Sequence, residues 1–221
     1  MKIGIVIQAR MGSSRLKNKI LEKIGSKEII LFLFERLKTV EGVSEIILAT
    51  SENEEENPLV SFANKIGLLV FRGSLEDVLS RFYECAKQRD LDVIVRVTAD
   101  DPFKDPGVIN QAIRIFLEGD FDYVSNTIHP TYPEGIDIEV FSYSALKEAN
   151  LSSSLATERM HVTPYIWKNP KKFSLHNFTD KKDNSSIRLT CDYREDLDYL
   201  NEIYSRTSSD DFTYLDIIDI V

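Results

Sequence analysis

Residues 3–19 read IGIVIQARMGSSRLKNK, an apolar run followed by a basic loop. The first five residues form an apolar run that is typical of a buried strand. The following loop carries a glycine, two serines, two arginines and two lysines. At the carboxyl edge of a parallel sheet, such a loop offers backbone N–H groups and cations to phosphate groups. The sequence therefore predicts a polyphosphate site here, with a plain basic surface loop as the alternative.

The loop does not have the spacing of the two common phosphate-binding motifs. It matches neither the G-x-x-x-x-G-K-[ST] pattern nor the G-x-G-x-x-G pattern. Interpretations as a P-loop kinase, an NTPase or a dinucleotide-binding protein therefore lose their main support.

Apolar runs and helical segments alternate regularly through the first half of the chain. Further strands are predicted at 45–50, 68–71 and 93–97, with helical spacing between them. The clearest helix is predicted over 75–89, where Ser74 and Asp77 have the spacing of a capping box. Nearly continuous apolar strands are typical of a sheet covered on both faces. We therefore expect an α/β fold with a mixed, mostly parallel sheet and helices on both faces.

The alternation becomes less regular after residue 102. A helix is predicted to start at Asp105 and Pro106, and the other predicted helices lie at 143–150, 158–168 and 194–204. Strands are predicted at 121–125, 136–141, 173–178 and 186–190, some of them antiparallel. No linker or repeat separates the halves, so we expect a single domain, 1–221, with a protruding subregion within about 126–185. Residues 210–221 read as a short amphipathic tail.

Composition excludes several classes of protein. The net charge of −9 disfavours nucleic-acid binding, because no basic stripe offsets it. No segment has the length of a membrane span or of a signal peptide's apolar region, so we expect a cytoplasmic protein without membrane partners. The two cysteines and three histidines have no zinc-site spacing, which favours two reduced structural thiols.

Carboxylates follow two other apolar runs. Asp100 and Asp101 come after the strand predicted at 93–97, and Asp192 follows an apolar stretch. One or two carboxylates together with substrate phosphates are a common Mg²⁺ site, so acids at two strand ends facing the loop predict one. Two alternatives remain open on the residues alone: Asp192 with Glu195 as a helix capping box, and Asp101 as part of an ordinary turn before Pro102.

Seven collinear motifs resemble a known family. In chain order they are QARMGSSRLxxK, FRGSxxDVLxRF, VRVTADDP, YVSNT, TYPxGxDxEVF, HVTPYI and RLTxDxxEDL. Together they resemble cytidylyltransferases of the spore-coat polysaccharide type, which are similar to CMP-Kdo and acylneuraminate cytidylyltransferases. The resemblance implies a Rossmann-like nucleotide-diphospho-sugar transferase fold. It also implies an enzyme that transfers CMP from CTP to an acidic sugar and releases pyrophosphate, in surface glycan biosynthesis.

The resemblance also implies roles for particular residues. Asp100 and Asp192 match the magnesium-binding aspartates of the family, and Arg15 and Lys19 join them as catalytic residues. The CTP-binding set is Gln8, Ala9, Arg10, Met11, Gly12, Ser13, Ser14, Arg72, Gly73, Ser74, Asp77, Val78, Arg81, Thr98 and Ala99. The chain departs from the family at 16–19, where Leu-Lys-Asn-Lys replaces the usual Leu-Pro-Gly-Lys. Loss of Pro and Gly changes the stiffness and φ freedom of the loop, and the added lysine increases its charge, so we expect an effect on loop geometry more than on activity.

Polar residues beyond the nucleotide half are the candidates for the acceptor. They are Asn126, Tyr132, Gly135, Asp137, Glu139, Glu158 and His161. Alternation with Ile136 and Ile138 would place both carboxylates at 137 and 139 on one face of a strand, although a solvated strand face has the same pattern. His161 could equally be an acceptor ligand or an ordinary helix-face residue.

The acceptor and the assembly stay open at this stage. CMP transfer to a phosphorylated small acid or polyol is one alternative, and a nucleotide-binding regulator without transferase activity is another. We expect a homodimer, partly from the resemblance and partly because the aromatic, proline-interrupted segment 123–143 reads as interface.

Overall fold

The computed structural model describes residues 1–12, 15–207 and 209–221. Within these ranges, seven strands form one sheet in the order β5-β4-β1-β6-β8-β7-β9, and β2 pairs with β3 in a separate hairpin. The strands are β1 (Ile3–Gln8), β2 (Lys23–Ile24), β3 (Lys27–Glu28), β4 (Glu45–Ser51), β5 (Leu69–Gly73), β6 (Val93–Thr98), β7 (Tyr123–Ser125), β8 (Glu139–Ser142) and β9 (Leu175–Asn177).

The sheet is mostly parallel. Strands β5, β4, β1 and β6 run parallel, whereas β8 is antiparallel to both of its neighbours, β6 and β7. The chain leaves β1 toward β4 on one side and later returns to place β6 on the other. In open α/β sheets, ligands bind outside the carboxyl ends of the strands at such a switch point. Gln8 and Thr98, the last residues of β1 and β6, are register partners at this edge.

Helices cover both faces of the sheet, as expected. They are α1 (Ile29–Leu37), α2 (Asn57–Lys65), α3 (Val78–Gln88), α4 (Pro106–Glu118), α5 (Tyr143–Ser152), α6 (Ala156–His161), α7 (Pro164–Trp167), α8 (Arg194–Arg206) and α9 (Tyr214–Ile220). On β1, Ile5 and Ile7 pack into the core beside α1 and α4, and Val6 packs into the core beside α3 and α5. The predicted fold class is therefore confirmed.

The predicted strands of the first half agree with the structure to within about two residues, and the helix starts differ where the cap differs. Asp105 caps α4, as predicted, by accepting from the backbone N–H groups of Gly107 and Val108. Helix α3 begins three residues later than predicted. Its cap is Asp77, which accepts from the N–H of Ser80, and Ser74 only holds the turn before the helix.

Three predictions for the second half were wrong in detail. Residues 186–190 form no strand; they run beside a loop, with Arg188 in an isolated bridge to Glu134. The helix predicted over 158–168 is broken at Val162, whose φ of 72° ends α6 before α7 begins. The strand predicted from residue 136 begins only at residue 139, so Asp137 precedes it.

Most of the aromatic side chains that suggested a dimer surface in segment 123–143 are not exposed. Tyr123, Tyr132 and Phe141 are all buried within their own chain. Among the described residues, no helix combines the length and apolar character that a membrane crossing requires. Cys85 and Cys191 are both buried and free.

Candidate active site at the carboxyl edge of the sheet

Two cavities open beside each other where β1 and β6 end. The first cavity has a volume of about 240 Å³ and lies between the loop after β1, the start of α3 and the end of α6. Its lining residues are Gln8, Ala9, Arg10, Gly12, Arg15, Lys19, Ile20, Leu75, Val78, Arg81, Thr98, Asp100, Met160, His161 and Asp192.

The first cavity carries a net positive charge, although the protein as a whole is acidic. Its described lining holds the four cations of Arg10, Arg15, Lys19 and Arg81 against two carboxylates, a formal charge of +2. The chain as a whole carries −9. A local excess of positive charge in a cleft attracts anionic ligands more strongly than the same charge spread over a surface.

Lys19 joins three distant parts of the chain in this cavity. Its Nζ donates to Asp100 Oδ2 at 3.0 Å, to Asp192 Oδ1 at 2.9 Å and to the carbonyl of Cys191 at 2.9 Å. Burial lowers the pKa of Lys19, but the two carboxylates outweigh burial and the net shift is upward. Burial would raise the pKa of Asp192, whereas its bonds from Lys19, Arg15 and Arg188 hold it below the usual value. Lys19 and Asp192 therefore both stay charged at neutral pH.

Arg81 provides independent evidence of a ligand site. Its side chain is buried beside the first cavity, and its Nη1 donates to the carbonyl of Ser74. Among the described residues, Arg81 Nε is a buried polar atom without a hydrogen-bond partner. Burial lowers the pKa of Arg81 to about 10, which still leaves it charged at neutral pH. A buried, unpartnered N–H is costly unless something else accepts from it.

The loop after β1 is anchored by a residue that the sequence analysis missed. Glu56 is fully buried, and its carboxylate accepts from the backbone N–H of Met11 and from the hydroxyls of Thr50 and Ser51. A buried acid with three donors is a structural anchor that fixes where the loop leaves the sheet. The acid-rich run 52–56 gave no signal of this role, because its other members are exposed.

The second cavity, of about 770 Å³, adjoins the first. Thr98 and His161 line both. Its lining residues are Arg96, Thr98, Asp101, Lys104, Thr127, Pro130, Tyr132, Glu134, Asp137, Glu139, Thr157, His161, Thr163, Pro164, Trp167, Lys168 and Ser185.

Most charges of the second cavity are already paired. Lys104 is buried and donates to Asp101 Oδ2 at 2.9 Å and to the carbonyl of Asp137 at 2.6 Å. Arg96 is paired with Glu139 across β6 and β8. Lys168 is exposed at the rim, with its Nζ 5.1 Å from the centre of the Trp167 ring, and makes no ion pair within the described residues.

Asp137 is the least committed carboxylate of this cavity. One of its oxygens accepts from the N–H of Gly135 at 3.2 Å. Burial raises the pKa of Asp137, and the Lys104 ammonium opposes that shift without cancelling it. A half-open carboxylate in such surroundings can accept hydrogen bonds from ligand hydroxyls.

Most of the residues predicted for catalysis and CTP binding meet in the first cavity. Those that line it are Gln8, Ala9, Arg10, Gly12, Arg15, Lys19, Val78, Arg81, Thr98, Asp100 and Asp192. Those that do not line it are Met11, Arg72, Gly73, Ser74, Asp77 and Ala99. Ser13 and Ser14 lie outside the described residues.

Two of the absent side chains are used elsewhere. Arg72 donates to the carbonyls of Ser51, Glu52 and Asn53, which fixes the turn after β4. Asp77 caps α3 and pairs with Arg159 at 2.7 Å. Both side chains therefore support the walls of the first cavity without lining it.

The alternative in which Asp192 caps α8 is wrong. The carboxylate of Asp196 accepts from the N–H groups of Asp192 and Tyr193, at 2.7 and 2.9 Å, and so performs that capping. The side chain of Asp192 turns to Lys19 and Arg15 instead. Asp192 is therefore free of a structural duty in the helix.

The acceptor candidates divide between the second cavity and the fold. Tyr132, Asp137, Glu139 and His161 line the second cavity, whereas Asn126, Gly135 and Glu158 do not. The buried Asn126 amide donates to the carbonyl of Ile136 and accepts from the N–H of Ile138. The buried Glu158 carboxylate accepts a hydrogen bond from the hydroxyl of Ser153. Gly135 has φ +103°, and a Cβ there would lie 2.9 Å from Leu189 backbone, so its role is conformational.

Asp100 and Asp192 fit a hard cation that also has ligands from a bound substrate. Both carboxylates are partly exposed and converge on one ammonium. Within the described residues, no group of three or more histidines, cysteines and acids could hold a metal ion without other ligands. Mg²⁺ commonly takes one or two carboxylates and completes its shell with phosphate and water, so the donor set suits that ion.

Comparison with known proteins supports one family. The family model described as cytidylyltransferase matches residues 4–214. The chain is 31% identical over 214 residues to the spore coat polysaccharide biosynthesis protein SpsF of Bacillus subtilis, covering 92% of this chain and 87% of that protein. It is 34% identical over 118 residues to a 3-deoxy-manno-octulosonate cytidylyltransferase of Geotalea daltonii, covering 53% of this chain and 46% of that protein.

A solved structure agrees in both fold and sequence. It is a cytidylyltransferase from Leptospira borgpetersenii, with a TM-score of 0.96 and 36% identity, covering 100% of this chain and 93% of that chain. The resemblance carried by the seven motifs is confirmed by this match and by the family model. The chain belongs to the cytidylyltransferase family.

Proposed function

We propose that this protein transfers CMP from CTP to an acidic sugar and releases pyrophosphate, with CTP in the first cavity and the acceptor in the second. The observation that carries the proposal is the charge of the first cavity, which is +2 on a chain of charge −9 and includes the buried Arg81 guanidinium. A nucleotide would supply negative charge for these cations.

The reaction is an in-line displacement at the α-phosphorus. A hydroxyl oxygen of the acceptor forms a bond to that phosphorus, and the bond to the bridging oxygen of the β-phosphate breaks. The hydroxyl proton leaves to solvent or a carboxylate, and pyrophosphate departs with the electron pair. Arg15 and Lys19 line the cavity and offset the charge that builds on the departing pyrophosphate. The two adjoining cavities hold the reactants beside each other.

Magnesium is part of the proposal. Asp100 and Asp192 would hold it, together with phosphate oxygens of the nucleotide. A bound Mg²⁺ would neutralise phosphate charge and favour the ionised form of the attacking oxygen.

The second cavity suits a hydroxyl-rich acid. Asp137 offers carboxylate oxygens to sugar hydroxyls, and Lys168 offers a cation to a carboxylate. The described lining has three cations and four carboxylates, a formal charge of −1. A phosphate monoester adds about −1.5 to −2 at neutral pH and would meet only one uncommitted ammonium. This balance favours a sugar acid over a phosphorylated acid or polyol.

The test is pyrophosphate release from CTP with Mg²⁺ and a panel of neutral sugars, sugar acids and phosphorylated acids. We expect release only with one or more sugar acids. Arg81→Met should weaken CTP binding, and the matched control Arg89→Met, at the half-buried C-cap of α3 and outside both cavities, should not. Release with phosphorylated acids alone would favour the second candidate acceptor. CTP binding without release from any acceptor would favour a regulatory role.

We also propose a cytoplasmic location and a homodimer. Two buried free thiols accord with a reducing compartment. Because Tyr123, Tyr132 and Phe141 are buried, a surface outside segment 123–143 is the better candidate for the dimer interface. The exposed apolar side chains Leu151, Leu155 and Met160, on α5, α6 and the turn between them, are an alternative. Light scattering at micromolar concentration distinguishes a dimer from a monomer.

A further inference from the structure

Gln8 lies where the two cavities meet. It is the last residue of β1 and the register partner of Thr98, the last residue of β6. Gln8 lines the first cavity, and Thr98 lines both. A bond between the α-phosphorus of a nucleotide in the first cavity and an oxygen of a ligand in the second must form at this junction.

The amide of Gln8 is oriented by Arg96. Arg96 precedes Thr98 by two residues on β6, so both side chains lie on the same face of the strand. Arg96 Nε and Nη2 lie 3.3 and 3.0 Å from Gln8 Oε1. A guanidinium only donates hydrogen bonds, so the amide oxygen must face it. The NH₂ group of Gln8 is then the part of the amide left for the first cavity.

Arg96 is itself held by a buried acid. Its Nη1 pairs with Glu139, its register partner on β8. The other oxygen of that carboxylate accepts from Tyr123 Oη at 2.6 Å and from the hydroxyl of Thr163. Glu139, Tyr123 and Thr163 are all buried. Glu139 is therefore fully committed, and it is more useful as an anchor for Arg96 than as an acceptor ligand.

We propose that Gln8 is a catalytic residue whose amide N–H donates to a non-bridging oxygen of the α-phosphate, and that Arg96 and Glu139 are positioning residues for it. This inference rests on the proposed function, because it takes CTP in the first cavity and the acceptor in the second. Charge develops on those oxygens during transfer, and a fixed neutral donor stabilises it without reorganising. No proton or electron pair passes through Gln8.

Two substitutions separate the role of the donor from the role of the fold. Gln8→Glu keeps an oxygen for Arg96 and removes the N–H, and Gln8→Met removes the N–H without adding charge. Gln88→Glu is the matched control, because Gln88 is exposed on α3 and lines neither cavity. Removing one such donor typically costs about 100-fold or more in rate. We expect both Gln8 variants to lose at least ~100-fold in single-turnover rate at saturating CTP, with Kd for CTP in Gln8→Met within a factor of about five.

Sulfur substitution gives a readout that a merely structural role would not change. The two α-thio-CTP diastereomers place sulfur, a weak hydrogen-bond acceptor, on one or the other non-bridging position. The wild-type protein should distinguish them, and Gln8→Met should reduce that ratio of rates several-fold. Arg96→Lys should lower the rate and shrink the ratio partly, because a lysine cannot hold the amide with two donors.

The outcomes separate the inference from the proposed function. A wild-type protein that transfers no CMP overturns both. A wild-type protein that transfers CMP, together with a Gln8→Met variant of normal rate or unchanged thio ratio, overturns only the role of Gln8. A Gln8→Met variant with normal saturated rate but at least ~10-fold weaker CTP binding would assign Gln8 to the base or ribose and also overturn the inference.

Discussion

At the scale of single residues, Lys19 and Asp192 have the most specific arrangement. The Lys19 ammonium is buried between two carboxylates and a carbonyl, and Asp192 also receives Arg15. Removing one partner from such a group leaves the others with uncompensated charge. The cluster thus prepares two acids and a cation for ligands while keeping them ordered.

Asp192→Asn should abolish turnover and leave the fold intact. Asp196 performs the helix capping, so the amide at 192 removes charge from the cluster without removing a cap. Loss of a proposed metal ligand should cost more than the ~100-fold seen when only an outer partner of a ligand is removed. Pyrophosphate release and a thermal melt measure the two effects.

The matched control is Asp196→Asn, which should lower the free energy of unfolding by about 1 kcal/mol or less, since asparagine is also a good cap. Near-normal turnover in Asp192→Asn would contradict the metal role.

Lys168→Met should raise KM for a sugar acid about tenfold or more, which is 1.4 kcal/mol or more of lost charge-assisted hydrogen bonding. The effect should vanish when the carboxylate of the acceptor is replaced by an alcohol, because Lys168 would then have no charge to meet. Lys171→Met is the control, since Lys171 is exposed and lines neither cavity. Equal effects on acid and alcohol would exclude recognition of the carboxylate by Lys168.

The meeting of residues at strand ends could be predicted from the sequence, whereas the prior use of other polar side chains by the fold could not, for a physical reason. Arg10 and Asp100 reach the first cavity because strand ends of a parallel sheet meet at one edge. Asn126 and Glu158 are polar residues of the segment predicted to bind the acceptor. In the structure, Asn126 instead bonds the backbone, and Glu158 accepts from a serine hydroxyl. Whether a polar side chain is already satisfied depends on tertiary neighbours that local spacing does not encode.

At the scale of elements, caps and broken helices place the walls of the cavities. The turn at Val162 ends α6 with His161 at the junction of the cavities and starts α7, which carries Trp167. Uninterrupted helical periodicity predicted one helix here, because side-chain spacing does not report a positive φ. The presence of the strands and helices could be predicted from the alternation of apolar runs and helical segments. The break at Val162 could not.

Asp105 connects two elements across the molecule. Its carboxylate caps α4 and also accepts from the N–H of Tyr214 at the start of α9, at 2.7 Å. Asp105→Ala should lower the free energy of unfolding by about 2 kcal/mol, the upper end for a cap, because three N–H groups lose their acceptor. Urea unfolding measures it. Asp105→Asn, which keeps an acceptor oxygen, should lose clearly less, and equal losses would contradict the capping role.

At the scale of the whole molecule, buried carboxylates set the acid limit of stability. Burial would raise the pKa of Asp101 and of Glu139, but Lys104 and Arg96 with their hydrogen-bonded neighbours outweigh burial, and both values fall below the ordinary 3.8 and 4.5. A carboxylate whose pKa is lower in the folded state stabilises the fold fully when the pH is above its unfolded-state pKa. This stabilisation is lost as the pH falls through the folded-state pKa.

The free energy of unfolding should therefore decline as pH falls below about 4.5, and urea titrations between pH 7 and pH 3 measure it. Asp137 has the opposite effect on the pH dependence of stability. Burial raises its pKa, so its protonation at low pH favours the folded state. Asp137→Asn should therefore make the decline steeper. Stability that is flat or rising on acidification would contradict this assignment of charges.

CTP with Mg²⁺ should stabilise the molecule more than ATP, GTP or UTP. At about 100 times Kd, a ligand of the folded state contributes roughly 2.7 kcal/mol, which is readily visible as a higher melting temperature. Arg81→Met should remove most of the difference between the nucleotides if Arg81 contributes to reading the base. Equal shifts with all four nucleotides would contradict a cytidylyl site.

The pairing of Lys19 with Asp192 has a consequence for how the protein is made. The two residues are 173 positions apart, and Lys19 also depends on the carbonyl of Cys191. A nascent chain emerging from the ribosome can assemble β1, β4 and β5 early, since these strands come from its first third. It cannot neutralise Lys19 fully until Asp192 has also been synthesised. The charge arrangement of the first cavity is thus completed later than the strands beside it.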